Sequence, residues 1–567
     1  MRRVFVALLM IAAAAAQPAH VAGRVVKQTG EGMRHATVTL LGAERYTATA
    51  DAAGAFAFDG VAPGTYALMA QRVGYASQKY GAAWPLVRAC GKLDDVNNQR
   101  EHANSGYDVV VDLRQCIEHA PGTMLTLAVG QAIKDLTIPI VQHGVISGKV
   151  LNQDGEATAN QVVAAMREVY RDGARRLAQA VSTSTGPDGV YTLDDLPPGC
   201  YYVRAMTGYT LASPGRDKAP QEADVQTYYP SEMDASKAVP VEVKAGEESG
   251  GTDILLRRMG VFTVRGTVAL PPGGPASNIY VSLTAKALDG MPTGARLNAV
   301  AANGAFEIRG VLPGGYVISS ARLGGSSPLL VQRQDVVVSG DVEGLSLSPL
   351  QGVAVTGTMK MEGPMPQDWP TVTLAAPHGT PDPLLPQIAD AYSGAGPVKP
   401  DANGTISFPI GLAPSEYEVQ ITGLPAGTYV KSIRYGEQDA LHEALDLTGG
   451  GAGSLDIVLS SKGAAITGKA AAGALVTAWP KKTEFAGGVH SASADQNGNF
   501  AIGGLGPGDY FVAAWEDIDP GLAEDAGFLA RFQGDAAAVA VAEGGRGVAN
   551  VKAIGRERVA AEVAKLP

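Results

Sequence analysis

Cysteine, histidine and aromatic residues are scarce in this sequence: its 567 residues include 3 Cys, 8 His and only 6% Phe, Trp and Tyr. So few cysteines cannot build a disulfide framework, and hydrophobic cores must hold the fold. Basic residues are outnumbered, 45 Lys and Arg against 56 Asp and Glu, and the formal charge of −11 is the wrong sign for phosphate-backbone binding. Nucleic acid is thereby excluded as a partner. After the first 16 residues no uninterrupted apolar run approaches the ~20 residues of a membrane-spanning helix, so no membrane span is expected in the mature chain. With 46% hydrophobic and 18% charged residues the chain is globular, and its length calls for several domains, since a single core of this size is disfavoured.

Catalytic signatures are missing too. No His is followed by Glu three positions on, so the zinc-binding pair of a metallopeptidase is absent. Neither a Gly-x-Ser-x-Gly elbow, a Walker loop nor a Cys-x-x-Cys pair occurs, and no cofactor or metal is implied. Asp495, Asn497 and Asn499 alternate as in a calcium loop, but Phe500 stands where that loop needs Gly, and a hairpin turn is the better reading. The adjacent pairs Glu118-His119 and His442-Glu443 point to opposite faces of a strand, which makes a hydrolase the least supported reading of the chain.

What the sequence does contain begins with a leader. Arg2 and Arg3 precede an apolar run from Val4 to Ala16, and Ala14-Ala15-Ala16 offers small residues for cleavage before Gln17. Residues 1–16 are therefore expected to be a signal peptide, and the chain is expected to be exported, whether to the periplasm, the cell surface or the medium. In an oxidising compartment Cys90 and Cys116 are the expected disulfide, worth roughly 3 kcal/mol by loop closure. Cys200, beside Tyr201 and Tyr202, is expected to be a buried thiol.

Self-similarity organises the rest. One pattern recurs five times: an Asp/Asn-Gly turn, two apolar residues at +2 and +4 from the Gly, a Pro turn, and a Tyr. The apolar pairs are Phe56 and Phe58, Tyr191 and Leu193, Phe306 and Ile308, Ile406 and Phe408, and Phe500 and Ile502. Their period of two marks half-buried strands. Pro63, Pro198, Pro313 and Pro507 are each followed by Gly, while Pro414 is followed by Ser415; the turn returns the chain into a strand that starts near Tyr66, Tyr201, Tyr316, Tyr417 or Tyr510. A Gly inside an opening strand recurs at Gly23, Gly148, Gly266, Gly357 and Gly468, at spacings of 91 to 125 residues. About a hundred residues with some seven short strands is the sequence signature of a β-sandwich.

The expected architecture is therefore all-β, a tandem array of five β-sandwich domains over 17–143, 144–259, 260–351, 352–462 and 463–555, followed by a C-terminal tail, 556–567. Short joints suggest an elongated string with restricted hinges. Helix is expected only around Ala523 to Phe532 and Glu557 to Lys565.

Asp51-Ala-Ala-Gly-Ala-Phe-Ala-Phe through Val61-Ala-Pro-Gly-Thr-Tyr66, and Thr185-Gly-Pro-Asp-Gly-Val-Tyr-Thr-Leu through Leu196-Pro-Pro-Gly-Cys-Tyr-Tyr-Val203, resemble the carboxypeptidase regulatory-like domain family. That resemblance implies a transthyretin-like (prealbumin-like) β-sandwich, grouped with carbohydrate-binding-like folds, and a bacterial source. It implies no catalysis, because the family is an accessory domain of metallocarboxypeptidases. The expected function is a non-enzymatic exported binding or scaffold protein of the cell envelope, its partner an envelope protein or a glycan. A purely structural spacer or partner-docking protein is the alternative. If sugars are bound, the expected platforms are Tyr80 and Trp84 in the first module and Tyr228 and Tyr229 in the matching loop of the second.

Overall fold

The computed structural model describes residues 17–566 apart from 83–119, 172–173, 208–221, 271–278, 287–295, 323–329, 376–396, 451–452, 482–487 and the single positions 302, 349, 352 and 413. The expected leader, Trp84, Cys90, Cys116, Glu118 and His119 lie outside the described residues.

The chain is all-β, a tandem set of sandwiches, each with its own apolar core. The first core runs from Ala19 to Ile140, the second from Ile146 to Leu256, the third from Val264 to Leu347, the fourth from Val353 to Leu459 and the fifth from Ala464 to Ala549. The recurring pattern supplies the members of these cores. Every one of the ten apolar residues at +2 and +4 is buried, as are all five tyrosines that follow the Pro turn. Each such side chain removed from water contributes about 1.5–3 kcal/mol, which no local propensity matches.

The tyrosines do a second job at the turn. The hydroxyls of Tyr66, Tyr201, Tyr316 and Tyr510 donate to the carbonyl oxygens of Ala62, Pro197, Leu312 and Gly506, four residues upstream, at 2.7 to 2.9 Å. A ring that fills the core thus also ties down the corner through which the chain re-enters it. At the preceding turn an aspartate acts as the fastener. One carboxylate oxygen of Asp51, Asp401 and Asp495 accepts from the backbone N–H groups two and four residues on, each at 2.8 Å.

The opening strand lies between two others in every module. In the fourth module Val353–Glu362 pairs antiparallel with Thr405–Leu412 on one side and parallel with the closing strand Ser454–Ser460 on the other. The same three-way arrangement recurs around Ala19–Lys27, Gly144–Leu151, Phe262–Val268 and Ala464–Lys469. The recurring glycine explains itself here. A Cβ placed on Gly23, Gly148, Gly266, Gly357 or Gly468 would come within 1.5 to 2.3 Å of a main-chain carbonyl oxygen of the closing segment. The parallel partner approaches too closely for any side chain. The second sheet of each module is built on the strand after the Pro turn, as where Gly508–Trp515 pairs with Leu475–Pro480. In the first module the two sheets are continuous, because Tyr75–Lys79 also pairs with the closing strand Ala132–Gln142.

At these joints the last strand of one module runs almost directly into the opening strand of the next. One residue, His143, separates Ala132–Gln142 from Gly144–Leu151, one residue separates Arg257–Gly260 from Phe262–Val268, and three separate Ser454–Ser460 from Ala464–Lys469. Side contacts stiffen these joints. His143 donates its N–H to Gly74 at 3.0 Å, and Gly463 donates to Gly427 at 2.8 Å. Glu543 of the fifth module accepts from the Tyr429 hydroxyl at 3.0 Å and from the Ser460 hydroxyl at 3.1 Å, both in the fourth. These hydrogen bonds, Tyr429 first, hold the Glu543 carboxyl below the usual range.

The fifth module carries a second core. Leu475–Pro480 and Gly508–Trp515 lack alternation and are buried on both faces. Trp479 and Trp515 pack outward against short helices at Pro520–Ala523 and Ala526–Leu529, a 3₁₀ turn at Ala530–Phe532, and the helix Arg556–Val563. The tail is therefore part of this module, with Val559 and Leu566 in that core.

Glycine at the strand contact is testable. Gly357→Ala is expected to lower the stability of the fourth module by about 1–3 kcal/mol, because main chain rather than a flexible side chain obstructs the added methyl. Native-state hydrogen exchange should show protection falling in Val353–Glu362 and Ser454–Ser460 and unchanged in the first module.

Candidate functional site

Of the expected platform residues, the three that are described, Tyr80, Tyr228 and Tyr229, are not exposed. Tyr80 is half-buried and packs against the first core. Tyr228 is wholly buried, its ring packed with Ala164 and Met166 on the outer face of the second sheet of its module. That corrects the expectation that its ring faces a ligand: Thr227–Tyr228 is itself a short strand of that sheet, paired with Gly199–Thr207, and Ala235 and Ala238 pack over the ring. Tyr229 is half-buried against the core on the other side. Cys200 is also corrected, since it is exposed. Alternation along Gly199–Thr207 turns Tyr201 and Val203 inward and therefore Cys200 outward.

The base of the Tyr80 loop is nevertheless a meeting place. Lys79, wholly buried, donates from Nζ to the Ala120 carbonyl at 2.7 Å. The same carbonyl accepts from the Ser493 hydroxyl of the fifth module at 3.2 Å. A few residues on, Met124–Leu127 forms an edge strand paired on one side with Gly64–Arg72. Its free edge is covered by the fifth module.

That cover is a side-chain imitation of a strand. Gln496 Oε1 accepts the Thr126 N–H at 2.9 Å, while its Nε2 donates to the Thr126 carbonyl at 2.8 Å. The Gln496 N–H donates to the Met124 carbonyl at 3.2 Å, and Asp495 bridges Met124 in parallel register. One glutamine amide thus satisfies both main-chain groups of an edge residue, as a neighbouring strand would. Close approach is possible because Gly473 has no side chain: a Cβ there would lie 2.5 Å from the Thr123 hydroxyl.

Asp495 fixes the turn that carries Gln496 and is itself buried. Burial opposes its ionisation, but the Asn499 and Asn497 N–H groups, the Asn499 amide and Thr126 outweigh that, and its carboxyl stays below the usual range.

A second contact brings in the second module. Tyr170 packs against the outer core of the fifth module. A Cβ on Gly521 would lie 1.9 Å from the Tyr170 carbonyl oxygen, so the helix start reaches the strand only through glycine. The first, second and fifth modules therefore meet, and the chain closes on itself instead of forming the elongated string that the short joints suggest.

Sequence reading missed Thr126, Gln496 and Tyr170. The available signal was the second position of the Asp turns, Ala52 and Ala402 in two copies but Gln496 in the fifth. Among the described residues no group of three or more His, Cys, Asp or Glu is placed to hold a metal ion, and no helix is long and apolar enough to cross a membrane. What the junction can do chemically is recognise extended main chain.

Residues 20–87 match the carboxypeptidase regulatory-like domain family. No curated protein matches the chain. Among solved structures, a streptococcal ancillary pilin is 9% identical, with 59% of this chain and 99% of that one covered and a TM-score of 0.20. Two B repeat units of the collagen binding protein of Staphylococcus aureus are 12% identical, covering 78% and 100% at a TM-score of 0.12. The major pilin subunit of Bacillus cereus is 11% identical, covering 59% and 100% at 0.14. At such scores these likenesses carry no argument about what this chain does.

The sign of the Asp495 shift gives a pH prediction. A carboxyl depressed in the folded state contributes stability above its unfolded pKa of about 3.9, and that stability is lost as pH falls through the lower folded value. The radius of gyration measured by X-ray scattering is expected to grow as pH falls below about 4, and Asp495→Asn should show the larger value already at pH 7.

Proposed function

We propose that the chain is an exported, non-enzymatic scaffold of the bacterial cell envelope, which docks envelope proteins on its loops and sheet edges rather than reading glycans. The observation that carries this reading is where the aromatic residues go. Among the described residues no Phe, Trp or Tyr is exposed, and most of them lie in cores or at turns. Stacking on a pyranose needs an open aromatic face, and no described ring belongs to an exposed residue. Of the four expected platform residues, Tyr228 is buried, Tyr80 and Tyr229 are half-buried, and Trp84 lies outside the described residues.

Closure of the first module on the fifth supports the same reading. A binding array gains avidity when weak sites move independently, within reach of a spread ligand. Modules joined by one to three residues and fastened end to end suit a frame of fixed geometry.

Three measurements test this. The mature protein, isolated from the envelope fraction of an expressing bacterium, should begin at Gln17. Tagged full-length protein should give no glycan-array signal above background and should co-purify with one envelope protein whose crosslinks map to sheet edges. Saturable binding to a defined glycan, or turnover of a hydrolase substrate lost in Glu118→Gln, would overturn the proposal.

A further inference from the structure

The contact between Gln496 and the Thr126 edge is heterologous: one surface is a strand edge in the first module, the other a turn in the last. Every copy of the chain therefore carries one of each. Exchange of partner between molecules requires the 461–463 joint to open, with loss of the Gly463–Gly427 and Glu543 hydrogen bonds that hold it in the closed chain. The first and fifth modules have separate cores, so each surface is built without the other. The bonds are directional and main-chain-like, three between Gln496 and the strand, with Ser493 to Ala120 beside them. The Tyr170 contact is likewise made of one strand and one helix start.

From this we infer that the last module can be exchanged between copies, the turn Asp495 to Gly498 of one chain seating on the Met124–Leu127 edge of another. The occupant is a second copy because the segment already seated on this edge is part of the chain itself. A heterologous contact closes into a ring when its two halves belong to one molecule and links molecules head to tail when they do not. The closed monomer is favoured by effective concentration, on the order of millimolar for short connections, and crowded chains compete with it. The inference does not depend on which partner the scaffold docks.

Two substitutions break the contact from opposite sides. Gln496→Ala removes the amide from a half-buried turn position. Thr126→Pro removes the N–H that faces Gln496, at an edge position where the neighbouring strand is not using that donor. Full-length wild-type protein, refolded from urea at low and at high concentration, should form dimers that rise about tenfold in fraction with concentration and persist on dilution, read by light scattering after size-exclusion chromatography. Each variant alone should stay monomeric. A mixture of the two, refolded together at high concentration, should give heterodimers captured by a tag on one chain, because the Gln496→Ala copy still offers an intact edge and the Thr126→Pro copy an intact turn. Wild type that is monomeric at every concentration, single variants that dimerise as wild type does, or a mixture without heterodimers would each overturn the proposal.

Discussion

The close passage of the closing strand over the opening strand sets the terms for the rest of the molecule. At one point in each module a main-chain carbonyl oxygen lies where a Cβ would be, and only glycine lets the parallel pair form. With that pair in place the opening strand sits inside its sheet, flanked on both sides, and the chain enters the module at one end of the parallel pair and leaves it at the other. The joints can then be one to three residues long, because the end of one module already lies where the next begins. Short joints leave few torsions to turn, and the course of the whole chain follows.

Within the modules, physics and sequence agree at several levels. The +2 and +4 residues face inward because a strand alternates; the tyrosine hydroxyl finds a carbonyl four residues back because the Pro turn puts one there; the aspartate finds two N–H groups because the turn aims them at it. These relations are local, and a local pattern writes itself into the sequence. The all-β class, the repeated sandwich and the helical segments near residues 520–532 and 556–563 were legible for that reason. Cys200 was misread although alternation from Tyr201 already assigned it outward.

The junction was not legible, and the reason is distance. Thr126 and Gln496 are 370 residues apart, and their bonds use main-chain groups that any residue at position 126 would supply except proline. No periodicity reports such a contact. Its trace is a departure from the repeat, the amide at a position where two other copies have alanine, and a departure gains meaning only once the fold shows what stands opposite. The outer core of the last module left a plainer trace in two strands, Leu475–Pro480 and Gly508–Trp515, apolar on both faces and therefore covered on both. The tyrosine pair of the second module shows the opposite case: in sequence Tyr228 resembles a platform in a loop, but it lies in a short edge strand whose ring is covered by Ala235 and Ala238.

Parallel pairing of first and last strands has a mechanical meaning. Tension applied to the two ends of the fourth module would draw Val353–Glu362 and Ser454–Ser460 past each other along their length. Every rung of that ladder then shares the load, and none can give way before its neighbours, as rungs do when two strands are peeled apart from one end. A row of such units, each gripping its ends in shear, is built to stay folded under a steady pull.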